Sequence, residues 1–126
     1  MTVNHPEVVA ELTQLYAEYE RALVANDAAT LTAMFWTSPH ALRFGVTENL
    51  HGSDEIEAFR KARPAVNLAR TIRRLDIVTF GRDFAGITLE FERDIAGRTV
   101  FGRQSQTWVR FSEGWRTVSA HISTLP

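Results

Sequence analysis

The chain has 126 residues, 44% of them apolar, and its 14 basic and 15 acidic side chains leave a formal net charge of −1. One domain with its own core fits that length and a second does not, and the apolar share excludes a disordered chain. With no basic excess, nucleic acid is not the expected partner, and with no cysteine there are no disulfides, thiolate nucleophiles or thiolate metal sites, in keeping with a reducing cytoplasm.

Met1 to Val9 carry neither the basic start nor the apolar run of a signal peptide. Nowhere do apolar residues approach the roughly 18 in a row of a membrane helix, so a soluble, cytoplasmic protein without a membrane partner is expected. Pro6 to Ala25 predicts an amphipathic helix: Val8, Leu12, Leu15, Tyr19 and Ala22 recur at spacings of three and four, and Val9, Tyr16 and Leu23 widen the stripe. Pro6 suits a first turn, as do Glu7 and Glu11 beside the positive end of the helix dipole. Asn26-Asp27 breaks the run and caps a shorter helix ending near Phe35. After a turn at Ser38-Pro39, Ala41 to Val46 reads as a short strand. Asp54 with Glu57 forms a capping-box pattern ahead of a third helix running through Ile56 and Phe59 towards Pro64.

The rest reads as strands. Thr71 to Phe80 ends at Gly81, and Phe84 to Ile95 alternates, with Ala85, Ile87, Leu89 and Phe91 on one face and Thr88, Glu90 and Glu92 on the other. Ala96-Gly97 is a hairpin turn into Thr99 to Phe111, and Glu113-Gly114 turns the chain into Trp115 to Ser123. Helices followed by a meander of long antiparallel strands predict a single α+β domain over residues 1–126. A curved sheet wrapped around the first helix leaves a cavity at its open end, a natural small-molecule site.

The order of elements, the Asn26-Asp27 pair and the closing strand from Gly114-Trp115 to His121-Ile122-Ser123 resemble the SnoaL-like, or nuclear-transport-factor-like, cone superfamily over nearly the whole chain. More narrowly, Phe35-Trp36, Arg43-Phe44-Gly45, Glu48-Asn49-Leu50, Phe59-Arg60, Thr79-Phe80-Gly81-Arg82-Asp83 and Gly102-Arg103-Gln104-Ser105-Gln106-Thr107-Trp108 resemble its AtzH-like and HpxZ-like group. That resemblance implies a part in ureide or cyanuric-acid breakdown beside amidases. AtzH-like members convert dicarboxyurea to allophanate with loss of carbon dioxide, and HpxZ-like members are associated with oxalurate catabolism.

Ketosteroid isomerases share the cone and carry an oxyanion-stabilising tyrosine eight residues before the Asp of the helix break; Tyr19 stands eight before Asp27. Their Asp base lies sixteen residues after that break, and here that position is Arg43. A permanent cation cannot abstract a proton from carbon, so steroid enolisation is not expected. The spacing makes Tyr19 a catalytic candidate and leaves Tyr16 as a core tyrosine. Alternation puts Arg43 with Ala41 and Gly45, opposite Leu42, Phe44 and Val46, without deciding which face is buried; the family position turns it inward, where a guanidinium fork reads a carboxylate.

Gln104 and Gln106 are candidate substrate donors, and Glu90 and Glu92 read as a solvated row. Glu48-Asn49 either positions Arg43 or shapes a turn. The arginines of Phe59 to Arg63 and of Arg70 to Arg74 read mainly as solvated, with Arg63 or Arg70 candidates for the pocket mouth. His121 reads as structural. His5, His40 and His51 show no metal-ligand spacing, and neither a phosphate loop nor a G-x-S-x-G elbow occurs. The expected protein is a cofactor-independent, metal-free decarboxylating hydrolase or lyase acting on a small anionic ureide. The alternative is a non-catalytic cone that binds such ligands or partners an amidase of the pathway. A homodimer or higher oligomer is expected, because Phe101, Trp108 and Trp115 supply more apolar area than one small core covers.

Overall fold

The computed structural model describes residues 1–64 and 68–126. Helix α1 spans Pro6–Val24, with Pro6 at its start and Glu7 in its first turn. Its buried stripe is Val8, Leu12, Tyr16, Tyr19, Ala22 and Leu23, and Leu15 sits at the margin. Tyr16 and Tyr19 thus both point inward. Asn26 takes a left-handed conformation (φ 54°) that reverses the chain. The Asp27 carboxylate then accepts from the Thr30 N–H at 3.1 Å and caps α2, Ala28–Met34.

A small hairpin follows, β1 Leu42–Phe44 against β2 Asn49–His51. Helix α3, Ser53–Ala62, starts differently from the sequence expectation. No side chain caps it; Gly52 (φ 90°) occupies the cap position, Asp54 is exposed, and Glu57 pairs with Lys61 at 2.6 Å one turn on. The carboxylate that turns back belongs to Glu55, which accepts from the His51 N–H at 2.9 Å.

The four long strands are β3 Thr71–Phe80, β4 Phe84–Ile95, β5 Arg98–Phe111 and β6 Gly114–Thr124. With β1 and β2 they form one six-stranded sheet in the order β2-β1-β6-β5-β4-β3, antiparallel except where β1 lies parallel to β6. Ala96 (φ 51°) and Gly97 (φ 79°) make the β4–β5 turn. Two consecutive positive φ angles match the right-handed strand twist, and glycine carries the second without strain. A bulge sets Thr107 and Trp108 of β5 against Ser119 and Thr117, with Val118 as the extra residue. Trp115 and Thr117 face inward before it, Ala120 after it, so the bulge changes which alternate of β6 meets the core.

The concave face packs α1 against Ala85, Ile87, Leu89 and Phe91, with Trp108 and Trp115 closing the same cluster. Burying each large apolar side chain contributes about 1.5–3 kcal/mol. Both tryptophans are therefore interior, and the apolar area expected for a dimer contact shrinks to exposed residues such as Phe101 and Phe84. No helix among the described residues is long and apolar enough to cross a membrane.

Candidate active site

Between α1, α3, β1 and the open ends of β4–β6 lies a cavity of about 440 Å³. Arg43, Glu48, Arg63, Arg70 and Arg93 form its polar wall, and Leu23, Phe59, Phe91, Val100 and Ile122 contribute apolar surface. Strand β1 turns Arg43 inward, leaving it 4% exposed, and its Nη1 donates to Glu48 Oε1 at 2.9 Å. Thr47 holds the other carboxylate oxygen through its backbone N–H (3.2 Å) and its hydroxyl (2.7 Å). Glu48 thus positions Arg43. Gly45 permits this, because a Cβ there would overlap the Glu48 carboxylate. Burial alone would raise the Glu48 carboxyl, but Thr47 and Arg43 outweigh it and hold the group below its usual range.

Arg63 and Arg43 each lie over the Phe59 ring, 5.3 Å from its centroid. Burial, with the like charges of Arg43 and Arg60, brings the Arg63 guanidinium down to about 10, still cationic at neutral pH. Arg63 Nε and Nη2 and Arg43 Nε are buried without a hydrogen-bond partner. These nitrogens are packed within the wall, and the guanidinium groups of Arg43 and Arg63 meet the cavity through their other atoms.

Tyr19 does not line the cavity. Its hydroxyl lies inside the wall and accepts from Arg60 Nη2 at 2.9 Å. Arg60 is 1% exposed, a reversal of the solvated face expected for its helix. Its guanidinium sits over the Phe35 ring at 5.6 Å and the Tyr19 ring at 5.9 Å. Burial pushes the Tyr19 phenol up, but Arg60, then Arg43, and more weakly Arg70 overcome that and hold it below its ordinary range.

One turn back, Tyr16 stacks on Tyr19 with ring centroids 5.8 Å apart and sits in a different network. Its hydroxyl donates to Glu20 Oε1 (2.9 Å) and accepts from Gln104 Nε2 (2.9 Å). Arg70 binds both oxygens of Glu20 and donates to Gln104 Oε1 at 3.0 Å. Burial, and then the charge of Glu20, drive the Tyr16 phenol far above its usual range. Gln104 is occupied inside this network, and Gln106 Oε1 accepts from the Trp108 indole at 2.9 Å. Neither glutamine reaches the cavity wall, unlike Arg63 and Arg70. His121 is exposed and packs edge-on against Phe44, and among the described residues no cluster of acidic or histidine side chains is placed to hold a metal ion.

A family profile, AtzH-like, matches residues 1–126. The chain belongs to the AtzH-like family. A solved structure from Pectobacterium atrosepticum, a protein of unknown function from the DUF3225 family, is 45% identical, with a TM-score of 0.93 and coverage of 98% of this chain and 95% of that one. A cystatin-like fold protein from Burkholderia xenovorans is 41% identical, with a TM-score of 0.91 and coverage of 100% and 99%. A candidate ketosteroid isomerase from Parabacteroides distasonis shares the fold at 12% identity, with a TM-score of 0.72 and coverage of 88% and 85%. No curated protein matches the chain.

The fold of this AtzH-like chain is the α+β cone expected from the sequence, a curved open sheet behind N-terminal helices. Arg60 is the site residue that sequence reasoning missed. Its signal was present: Arg60 follows Ile56 by four residues and so shares its buried helix face.

Proposed function

We propose that the AtzH-like chain binds a small dicarboxylated urea and releases carbon dioxide from it without a cofactor. The carrying observation is the charge balance around the cavity. Glu48 offsets Arg43 and Glu20 offsets Arg70, while Arg60 and Arg63 have no carboxylate partner among the described residues. Arg60 is fully buried and Arg63 half-buried, so unmatched charge there is costly, and a dianion entering the cavity beside Arg63 supplies counter-charge. Arg43 and Arg63 both line the cavity, and a guanidinium is the side chain best suited to pair with a ligand carboxylate there.

In the reaction, the bond between urea nitrogen and carboxylate carbon breaks and its electron pair stays on nitrogen. The carboxylate leaves as carbon dioxide. Arg43 stabilises the charge growing on the urea, and Tyr19 supplies the proton to nitrogen once the ligand is drawn in against Arg43. One preorganised donor at such a charge contributes on the order of 3 kcal/mol. The test is carbon dioxide release from dicarboxyurea by the purified protein. Release above the spontaneous rate, abolished by Arg43→Met, supports the reading; release no faster than in buffer removes it.

One observation favours a second reading, that of a ligand-binding or amidase-docking cone. The cavity wall carries arginines, and Tyr19, the proton donor of the first reading, lies behind that wall rather than at its surface. A chain that binds the dicarboxylate tightly without consuming it would be such a module. For assembly we propose a homodimer through the convex sheet face that bears Phe101, and light scattering showing only monomer at micromolar concentration would reject it.

A further inference from the structure

Arg60 is a sealed cation whose only hydrogen-bond acceptor among the described residues is a phenol oxygen. Its Nη2 meets Tyr19 at 2.9 Å, while Nε and Nη1 are buried without an acceptor. Arginine does not shed its proton in a protein interior, so the charge stays and must be met by something. Two aromatic faces, Phe35 and Tyr19, meet part of it. Among the described residues, the one ionisable group that Arg60 hydrogen-bonds is the Tyr19 hydroxyl.

The geometry points to Arg60 as a positioning residue that fixes the Tyr19 hydroxyl behind the cavity wall and governs its ionisation. The guanidinium occupies the phenol oxygen as a donor and fixes its orientation, so the phenol's own proton is directed away from Arg60. The charged groups acting on Tyr19 include Arg60 from α3, Arg43 from β1, Arg70 from the segment entering β3 and Arg63 just past α3. Glu48 and Glu20 are engaged by Arg43 and Arg70, Tyr16 stacks from the same helix, and β5 offers the uncharged Trp108 edge-on at 6.1 Å. Cations thus dominate, in agreement with the direction in which the phenol is shifted. An anion bound at Arg43 opposes that field, so ligand entry strengthens Tyr19's hold on its proton and Arg60 sets the balance. Its role in turnover rests on the decarboxylation reading, whereas its control of Tyr19 does not.

The chain has two tyrosines, which makes a direct test available. Ultraviolet absorbance of the phenolate, followed against pH on the unliganded protein, should show one tyrosine ionising below the ordinary 10.0. That transition should vanish in Tyr19→Phe and persist in Tyr16→Phe. In Arg60→Met, with fold checked by circular dichroism, it should rise by about one pH unit or more. Arg60→Lys keeps charge at the position and should recover part of the shift. Tyr19 ionising at or above 10.0 in the wild type, or an unmoved transition in Arg60→Met, would overturn the inference. Should Arg60→Met not fold, the wild type and Arg60→Lys decide, because Lys keeps the charge without the fork. A protein that releases no carbon dioxide but shows this titration loses the proposed reaction and keeps the Arg60 role.

Discussion

Two tyrosines, one turn apart on α1, stack on each other and meet opposite environments. Tyr16 belongs to a closed network in which Glu20, Arg70 and Gln104 leave none of their buried polar atoms without a partner. Tyr19 faces an open one, in which Arg60, Arg43 and Arg63 together bring five buried N–H-bearing nitrogens that find no acceptor. A satisfied buried network rigidifies a core, and an unsatisfied one is costly unless a ligand completes it. The same pair of residue types, phenol and guanidinium, therefore sits in a satisfied network on one side of the helix and in an unsatisfied one on the other, beside the cavity we propose as the binding site.

The variants that probe this contrast differ in expected size. Tyr19→Phe keeps the ring and its contacts with Tyr16 and Trp108 and removes only the hydroxyl. Turnover should fall by roughly two to three orders of magnitude with binding nearly unchanged, and kcat with ligand affinity on one preparation checks it. Arg43→Lys should cost about a hundredfold in kcat/KM while the melting temperature holds, because the charge stays and the fork is lost. Wild-type kinetics would remove the bidentate role, and an unfolded protein would make Arg43 a structural partner. Tyr16→Phe should reverse the pattern. Stability should drop by about 1–3 kcal/mol, as Gln104 Nε2 and Glu20 lose a buried partner, and turnover should stay within about threefold. Equal damage to turnover from both tyrosine variants would erase the distinction between the two networks.

Smaller effects come from Glu48. Gly45→Ala should displace its carboxylate from Arg43, weakening ligand binding roughly tenfold, or about 1.4 kcal/mol, with little loss of stability, since a flexible side-chain end can move aside. The folded-state pKa of Glu48 lies below its unfolded value near 4.5, so its contribution is complete above that value and is lost as pH falls through the lower folded one. Melting curves of the wild type and Glu48→Gln should differ by on the order of 1 kcal/mol near neutral pH and converge in acid. Parallel curves would show that the Arg43 pair contributes nothing.

Much of the cone was legible because its signals are local. The Asp27 cap, the β4 boundaries and the Ala96-Gly97 turn each rest on a few adjacent residues whose chemistry dictates one conformation. The three-residue β2 has too few positions for periodicity and was missed. The capping box failed because Gly52, with a positive φ, takes the cap position and places Asp54 inside the first turn. In the site, alternation could not choose a face for Arg43; the family position did, and the fold agrees with it. Gln104 and Gln106 share a strand face with Trp108, a sign of interior rather than ligand contact. Arg60 was hidden by its charged neighbours, since the run Arg60-Lys61-Ala62-Arg63 looks solvated while only Lys61 is freely exposed among its charges. Which donors remain open depends on contacts between segments distant in sequence, and no local pattern carries that.

The central claim is that the open network is a site for two carboxylates. Calorimetric titration with malonate, a stable dicarboxylate, against acetate tests it most directly. Malonate should bind at one site per chain, at least about tenfold tighter than acetate, with affinity falling as salt rises and lost in Arg43→Met. Equal affinity for the two acids, or malonate binding untouched by Arg43→Met, would contradict the account.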